Sequence, residues 1–248
     1  MNPKEQAKPR SLGKDLGPLI EFFLSPSVLG KERLPKSGPF LVVITHYLAE
    51  RTWGGCALPR PPLDAVFVSK LIEETTGQNI RWIAADSSSV ARGLPLPARI
   101  LIAKIWQGAV EKYGGVPVPL DREEVIARGR AVIKAIRLLA GGEIVGIAPA
   151  PGKELNRNTI EKGAALIALG VSKETGGPTT ILPIRLRGFE DPIELLLSSR
   201  HNPVEAEILK PILVSFNPTK SLKEQIETLA ERLLSMFSQP TTDKPDKR

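Results

Sequence analysis

The sequence has very little cysteine, histidine or aromatic character. Its 248 residues include one cysteine, Cys56, and two histidines, His46 and His201. A single cysteine excludes an internal disulfide and a cysteine-rich metal site, and two histidines are too few for a multi-histidine metal centre. Aromatic residues make up 5% of the chain, which argues against a nucleic-acid-binding module built on base stacking. The sequence therefore predicts no metal site and no nucleic-acid partner.

Long apolar segments are absent as well. No run reaches the length of roughly 18 residues that a spanning helix needs, and the polar N-terminus lacks the apolar stretch of a signal peptide. We therefore expect a cytoplasmic protein that is either soluble or bound to the inner face of a membrane. The net charge of +7 favours anionic partners such as phosphate-bearing substrates, acidic carrier proteins or anionic membrane surfaces. Solubility alone would also account for this charge.

Strand-like and helix-like segments alternate along the chain. Strands are predicted at 40–45, 65–69, 80–84, 116–120, 143–148, 179–186 and 207–216, and helices at 16–24, 97–113, 122–140, 161–171 and 221–237. Several strands are apolar throughout, as in a parallel sheet covered on both faces. The pattern predicts the α/β class: a single domain with a mixed, mostly parallel sheet flanked by helices.

Some segments carry more specific expectations. Residues 1–14 are predicted to be a flexible basic arm, 15–238 the α/β domain, and 239–248 a disordered tail. The helix at 97–113 is expected to be buried on much of its surface. Pro183 suggests an edge or irregular position in its strand. The helix at 16–24 has two interpretations, a helix packed on the core or an element lying on a membrane surface.

Three polar segments follow predicted strands, where α/β proteins place their chemistry. His46 ends the first strand, and an imidazole can take a proton from a hydroxyl near neutral pH. Arg122 follows the strand at 116–120 and can hold a phosphate through paired hydrogen bonds. Gly152, Lys153 and Arg157 precede a helix and can present N–H groups and positive charge to an anion. Together they suggest reaction at a hydroxyl of a phosphorylated substrate.

The order of these motifs resembles the lysophosphatidic acid acyltransferases and related glycerolipid acyltransferases over residues 28–190. The matching blocks are Gly30-Lys31-Glu32-Arg33-Leu34-Pro35, Gly38-Pro39, His46, Gly114 to Arg122, Pro149-Ala150-Pro151-Gly152, Lys162-Gly163-Ala164-Ala165 and Ile181-Leu182-Pro183-Ile184. The resemblance implies a glycerolipid acyltransferase-like fold. It also implies transfer of a fatty acyl group from acyl-CoA or acyl carrier protein to a hydroxyl of an anionic lysophospholipid or related acceptor, without a cofactor.

The resemblance assigns His46 as the general base, Arg122 to the acceptor phosphate, and the segment around Gly152 to the thioester oxyanion. Two family carboxylates are replaced. Arg51 stands where the family has the aspartate that serves the histidine, and Ala150 and Pro151 stand where it has a glutamate. Glu50 is the nearest local substitute, because residues four apart share a face when a segment is helical.

Other interpretations stay open at this stage. Loss of the two carboxylates is also what a catalytically inactive lipid- or acyl-binding protein on the same fold would show. His46 could be purely structural, and Cys56 could be a nucleophile that uses His46 as its base. Asp121 could cap a helix that starts at Arg122. The acyl donor, the acceptor, the chain length and the oligomeric state do not follow from the sequence.

Overall fold

The computed structural model describes residues 9–23, 26–45, 52–53, 56–57, 62–90, 95–119, 124–148, 161–188 and 204–238. The helices are α1 (Leu12–Phe23), α2 (Leu63–Thr76), α3 (Ser87–Val90), α4 (Leu96–Lys112), α5 (Val125–Ala140), α6 (Glu161–Thr175) and α7 (Leu222–Ser238), with a 3₁₀ turn at Lys31–Arg33. The strands are β1 (Ser27–Leu29), β2 (Leu41–Ile44), β3 (Thr52–Trp53), β4 (Cys56–Ala57), β5 (Ile80–Ala85), β6 (Val116–Val118), β7 (Ile144–Ile147), β8 (Thr179–Arg187), β9 (Glu205–Ile208) and β10 (Ile212–Val214).

Eight of the described strands form one sheet in the order β1-β9-β8-β2-β7-β5-β6, with β10 paired to β8 outside this path. The pairings of β2 with β7 and β8, and of β5 with β6 and β7, are parallel. Among the described strands of this sheet, the antiparallel pairings are those of β8 with β9 and with β10. The predicted α/β class with a mixed, mostly parallel sheet flanked by helices is confirmed.

The central strand β2 divides the core into two layers. Phe40, Val42 and Ile44 face one side, and Leu41 and Val43 face the other, because successive side chains of a strand alternate between faces. The first face packs against α1 and α2. The second face packs against α5, α6 and α7. All five of these residues have no exposed surface, so the continuous apolar run of β2 reflects helices on both faces of the sheet.

The connections between the parallel strands sort the helices between the two faces. From β2 the chain passes through α2 to β5 and then through α4 to β6, moving toward one edge of the sheet. From β6 it returns through α5 to β7 and through α6 to β8. Right-handed crossovers place helices on opposite faces when the chain reverses its direction along the sheet. α4 therefore lies on the face of α2, and α5 and α6 lie on the other.

The strand predicted at 65–69 is wrong, because these residues lie inside helix α2. Val66, Phe67 and Val68 are all buried, so the segment shows no polar face that would reveal a helical period. A short apolar run rich in β-branched residues cannot be assigned by periodicity alone. Tertiary packing of α2 between the sheet and α1 decides for the helix. Its end at Gly77, with φ of 71°, is a normal left-handed helix terminus.

The strand predicted at 207–216 is two strands, β9 and β10, separated around Lys210 and Pro211. Both pair with β8, β10 with Thr179–Ile181 and β9 with Ile184–Arg187. Pro183 faces the gap between them, and its carbonyl accepts a hydrogen bond of 3.0 Å from the Leu209 N–H. Because proline has no N–H, it cannot donate a ladder hydrogen bond at this position. The predicted irregular position is thus correct, although β8 is internal to the sheet.

Helix α1 packs on the core through Leu12, Leu16 and Ile20. An added Cβ on Gly13 would lie 2.8 Å from the backbone nitrogen of Lys70, so this glycine allows α1 and α2 to approach closely. The segment predicted at 16–24 is therefore a core-packed helix in its described residues, and it begins earlier, at Leu12.

The predicted domain boundaries stay predictions. Residues 1–8 of the predicted arm and 239–248 of the predicted tail lie outside the described residues. Arg10 donates a backbone hydrogen bond of 3.0 Å to the Lys112 carbonyl. Helix α5 begins at Val125, with Glu124 at the position before it. The alternative helix start at Arg122, with Asp121 as its cap, lies outside the described residues.

Candidate functional site

The candidate site is the edge of the sheet at which the parallel strands β2, β7, β5 and β6 end. The chain after β2 leads to α2 on one face, and the chain after β7 leads to α6 on the other. β2 and β7 are adjacent, with Val43 level with Ile147. Adjacent parallel strands whose connections leave to opposite faces define a switch point, and ligands of open α/β sheets bind in the crevice outside it.

The six predicted site residues, His46, Glu50, Arg122, Gly152, Lys153 and Arg157, all lie outside the described residues. The structure describes the strand ends that precede them. His46 is the second residue after Ile44, the last residue of β2. Pro149 to Ile160, which includes Gly152, Lys153 and Arg157, connects the described end of β7 to the start of α6. Two of the three predicted segments therefore begin at the two strands of the switch point.

Arg122 follows a more distant strand. β6 is separated from β2 by β7 and β5, and three intervals of about 4.8 Å place the two strands about 14 Å apart. An arginine side chain and the intervening loop would have to bridge this gap for Arg122 and His46 to hold one substrate. The predicted convergence of the two residues within about 15 Å, the span a phosphate-sized substrate allows, remains a prediction.

Thr45 fixes the chain immediately before His46. Its backbone N–H donates to the Ile184 carbonyl at 3.1 Å, which extends the β2–β8 ladder by one bond. Its side-chain Oγ1 accepts a hydrogen bond of 2.8 Å from the Leu186 N–H and donates to the Leu186 carbonyl at 3.4 Å. Where β2 ends, the threonine hydroxyl thus makes the hydrogen bonds to β8 that the backbone of the strand would otherwise make. It satisfies two groups of buried Leu186 that would otherwise lack partners.

Sequence reasoning missed Thr45, and it also missed Asp64. Asp64 lies in the first turn of α2, into which the chain leads after β2, and it is 7% exposed. Its Oδ1 accepts a hydrogen bond of 2.8 Å from the Ala65 N–H. Buried carboxylates occur in proteins only when they are paired or hydrogen-bonded. An acidic residue directly after Pro62-Leu63 is typical of the first turn of a helix. Because residues 65–69 were predicted to be a strand, Asp64 was not recognised as part of a helix start.

The electrostatics of this edge favour an anion. Helices α2, α4, α5 and α6 all begin at it, because each follows a parallel strand. A helix N-terminus carries about half a positive charge and presents free N–H groups. Lys162, half-exposed in the first turn of α6, adds a full charge there, and its Nζ is 4.0 Å from Glu227. These positive groups suit a phosphate or a developing oxyanion.

Several glycines of the resembling motifs serve the fold. Gly30 has φ of 73°, and an added Cβ would lie 2.5 Å from the Ile208 carbonyl oxygen. Gly114 has φ of 65°, and its Cβ would meet the Arg81 side chain. Both positions need a residue without a side chain. In the second layer, Ala164 and Ala165 are fully buried and let α6 lie close to the sheet. These motif positions are therefore accounted for by packing.

Metal binding is not indicated in the described part of the chain, where no group of three or more histidine, cysteine, aspartate or glutamate side chains is placed to hold an ion. Cys56 lies in the short hairpin of β3 and β4, with its backbone opposite Trp53. Its pairing with His46, and the position of His201, fall outside the described residues. Among those residues, no helix is both long and apolar enough to cross a membrane.

Comparison with known proteins finds similarity of fold. No family model and no curated protein matches the sequence. The fold is similar to the crystal structure of the 1-acyl-sn-glycerophosphate (LPA) acyltransferase PlsC from Thermotoga maritima. The sequence identity is 16%, the TM-score is 0.48, and the match covers 93% of this chain and 80% of that chain. A likeness of this size does not assign the chain to a family or to an activity.

Proposed function

We propose that this protein is a glycerolipid acyltransferase that moves a fatty acyl group from a thioester donor to a hydroxyl of an anionic lipid. The observation that carries the proposal is the switch point. The histidine and the Gly152 segment follow the two adjacent strands whose connections diverge. A base and an oxyanion-binding segment on neighbouring strands are the two parts that acyl transfer to a hydroxyl requires.

In this mechanism His46 takes the proton of the acceptor hydroxyl as its oxygen attacks the thioester carbonyl. Backbone N–H groups near Gly152, with Lys153 or Arg157, stabilise the negative charge that develops on the carbonyl oxygen. The carbon–sulfur bond then breaks, and the thiolate of acyl-CoA or acyl carrier protein leaves and takes the proton from His46. Arg122 holds the acceptor phosphate. The reaction is a group transfer that balances without a metal or a redox cofactor.

The carboxylate that serves His46 is assigned to one of two residues. Glu50 is the local candidate from the sequence. Asp64 is the candidate from the fold, because it is buried in the first turn of the helix that follows the histidine segment. A carboxylate in this role fixes the imidazole tautomer and stabilises imidazolium, and its loss costs about 10⁴ in rate in a serine protease. It also raises the pKa of the imidazole.

The test is acyl transfer from radiolabelled acyl-CoA or acyl carrier protein to a panel of lysophospholipids. We expect His46→Ala to abolish transfer and His201→Ala, the matched histidine control, to leave it unchanged. Either Glu50→Gln or Asp64→Asn should lower kcat by about 10² or more. The same variant should move the acid limb of the pH–rate profile to lower pH, because imidazole loses the charge that favours its protonated form. Full activity of His46→Ala would end the general-base assignment.

A non-catalytic protein that binds the same lipids is the second candidate. Arg51, Ala150 and Pro151 favour it, because they replace both carboxylates that the resembling family has at these positions. The distinguishing result is binding without turnover. If wild-type protein binds lysophosphatidate, transfers no acyl group from either donor, and loses binding in Arg122→Ala, the binding role replaces the catalytic one.

A further inference from the structure

The helices α4 and α5 expose an unusual number of large apolar side chains. In the described residues, nine large apolar side chains are exposed, and seven of them lie on these two helices. They are Leu96, Ile100, Leu101 and Ile105 on α4, and Val125, Ile126 and Ile133 on α5, with 50–74% of their surface accessible. We call these seven residues the apolar rim. No residue of α4 is buried, so the sequence-based expectation that this helix is largely buried is wrong.

The apolar rim is concentrated at the edge of the sheet that holds the candidate site. Each helix follows a parallel strand, α4 after β5 and α5 after β6, so both begin at that edge. The rim occupies only the first ten residues of α4 and the first nine of α5. Farther along α4 the exposed residues are polar, for example Gln107 and Glu111. An exposed helix face that is apolar at one end and polar at the other indicates a surface that meets a partner at the apolar end.

Basic side chains are interleaved with the apolar rim. The two helices carry seven basic residues, Arg99, Lys104, Lys112, Arg128, Arg130, Lys134 and Arg137, and one acidic residue, Glu111, for a net charge of +6. Lys112 pairs with Asp15 at 3.2 Å. For the other six, no acidic side chain in the described part of the chain lies within 4.0 Å. On α5, Ile126, Arg130, Ile133 and Arg137 alternate at helical spacing along one face.

The helices α4 and α5 lie on opposite faces of the sheet, so the surface that they share is the sheet edge at which both begin. We propose that this edge, with the apolar rim and the neighbouring basic residues, docks on an anionic lipid bilayer. Interfacial helices combine an apolar face with lysine and arginine in this way. The apolar side chains enter the interfacial region, and the basic residues beside them contact lipid phosphates. A second copy of the chain is disfavoured as the occupant, because a symmetric dimer would bring two surfaces of charge +6 together. Docking by this surface points the candidate site toward the bilayer.

This surface differs from the N-terminal segment that the sequence suggested as a membrane element. The apolar residues Leu12, Leu16 and Ile20 of α1 are packed on the core and are not available to a bilayer. Docking on a bilayer does not require the proposed acyl transfer, and it can be measured without turnover.

The experiment is cosedimentation of the full chain with vesicles of phosphatidylcholine containing about one third phosphatidylglycerol, compared with pure phosphatidylcholine. We expect binding to the anionic vesicles that falls as salt rises. Lys104→Gln/Arg128→Gln/Arg130→Gln should lower the partition coefficient on the order of 100-fold, at about fivefold for each charge. Leu101→Ser/Ile105→Ser should lower it about tenfold for each side chain removed from the apolar phase.

The matched controls lie on β10 and in the turn before it, away from the apolar rim. Leu213 is 69% exposed and Lys210 is also exposed, so Leu213→Ser and Lys210→Gln remove the same chemistry from another surface. Both controls should bind as wild type does, and all variants should keep the wild-type melting temperature. Equal binding to neutral and anionic vesicles, or equal losses in the rim and control variants, would overturn the proposal. So would a concentration-dependent dimer that Leu101→Ser/Ile105→Ser abolishes, because the face would then bind a second copy.

Discussion

Replacing Thr45 with valine tests how the fold positions the histidine. Valine matches the shape of threonine, so the substitution leaves no cavity and removes only the hydroxyl. The Leu186 N–H then loses its acceptor at 2.8 Å, and the Leu186 carbonyl loses a longer, weaker bond of 3.4 Å. Because Leu186 is fully buried, the N–H is left without a partner at a cost of about 1–3 kcal/mol.

The expected result is a lower free energy of unfolding by that amount, measured by urea denaturation. For a chain of this size the melting temperature falls by about 2–4 °C for each kcal/mol. Thr45→Ser is the control, because serine keeps the donor and acceptor and should recover most of the loss. In the acyl-transfer assay, Thr45→Val should lower kcat while Thr45→Ser does not, since the chain before His46 is no longer tied to β8. Thr45→Val with wild-type stability would refute the view that this hydroxyl completes the ladder.

Two further predictions concern ion pairs. Arg185 and Glu207 form a buried ion pair of 2.8 Å between β8 and β9. Glu207→Gln should lower the free energy of unfolding, measured by urea denaturation, by about 3–5 kcal/mol, whereas the double variant Arg185→Met/Glu207→Leu should lower it much less. Equal losses of stability in the single and double variants would contradict this. Burial raises the pKa of Asp15, but hydrogen bonds and charges from Arg10 and Lys112 outweigh it and hold the pKa below 3.8. The stability that Asp15 contributes is therefore complete above pH 3.8 and is lost as the pH falls through the lower folded-state pKa. Asp15→Asn should reduce the fall of the melting temperature at acidic pH. An unchanged fall in this variant would contradict the prediction.

Parts of the fold were predictable from local patterns. The strands β2, β5 and β7 are short apolar runs bounded by glycine, proline or polar residues, and they were assigned within one or two residues. The helices α5, α6 and α7 have apolar faces at helical spacing and were found with shifted ends. In both cases one local period and its flanking residues contain the information.

Other parts depended on contacts between distant segments. The segment 65–69, predicted to be a strand, lies in α2. A helix that is buried on most sides has no polar face, so its sequence does not show the helical period. The burial of α4 was misjudged, because an apolar helix on the protein surface has the same composition as one in the core. The pairing of β9 and β10 with different halves of β8 was invisible until all three strands were placed.

The sequence by itself determined the α/β class and the central apolar strand that ends before His46. These follow from local composition and spacing along the chain. Only the tertiary structure decided that the strands followed by His46 and by the Gly152 segment are neighbours whose connections diverge. Strand order, the burial of Asp64 and the exposure of the apolar rim depend on which distant segments pack together, and a single chain's local periodicity does not contain that information.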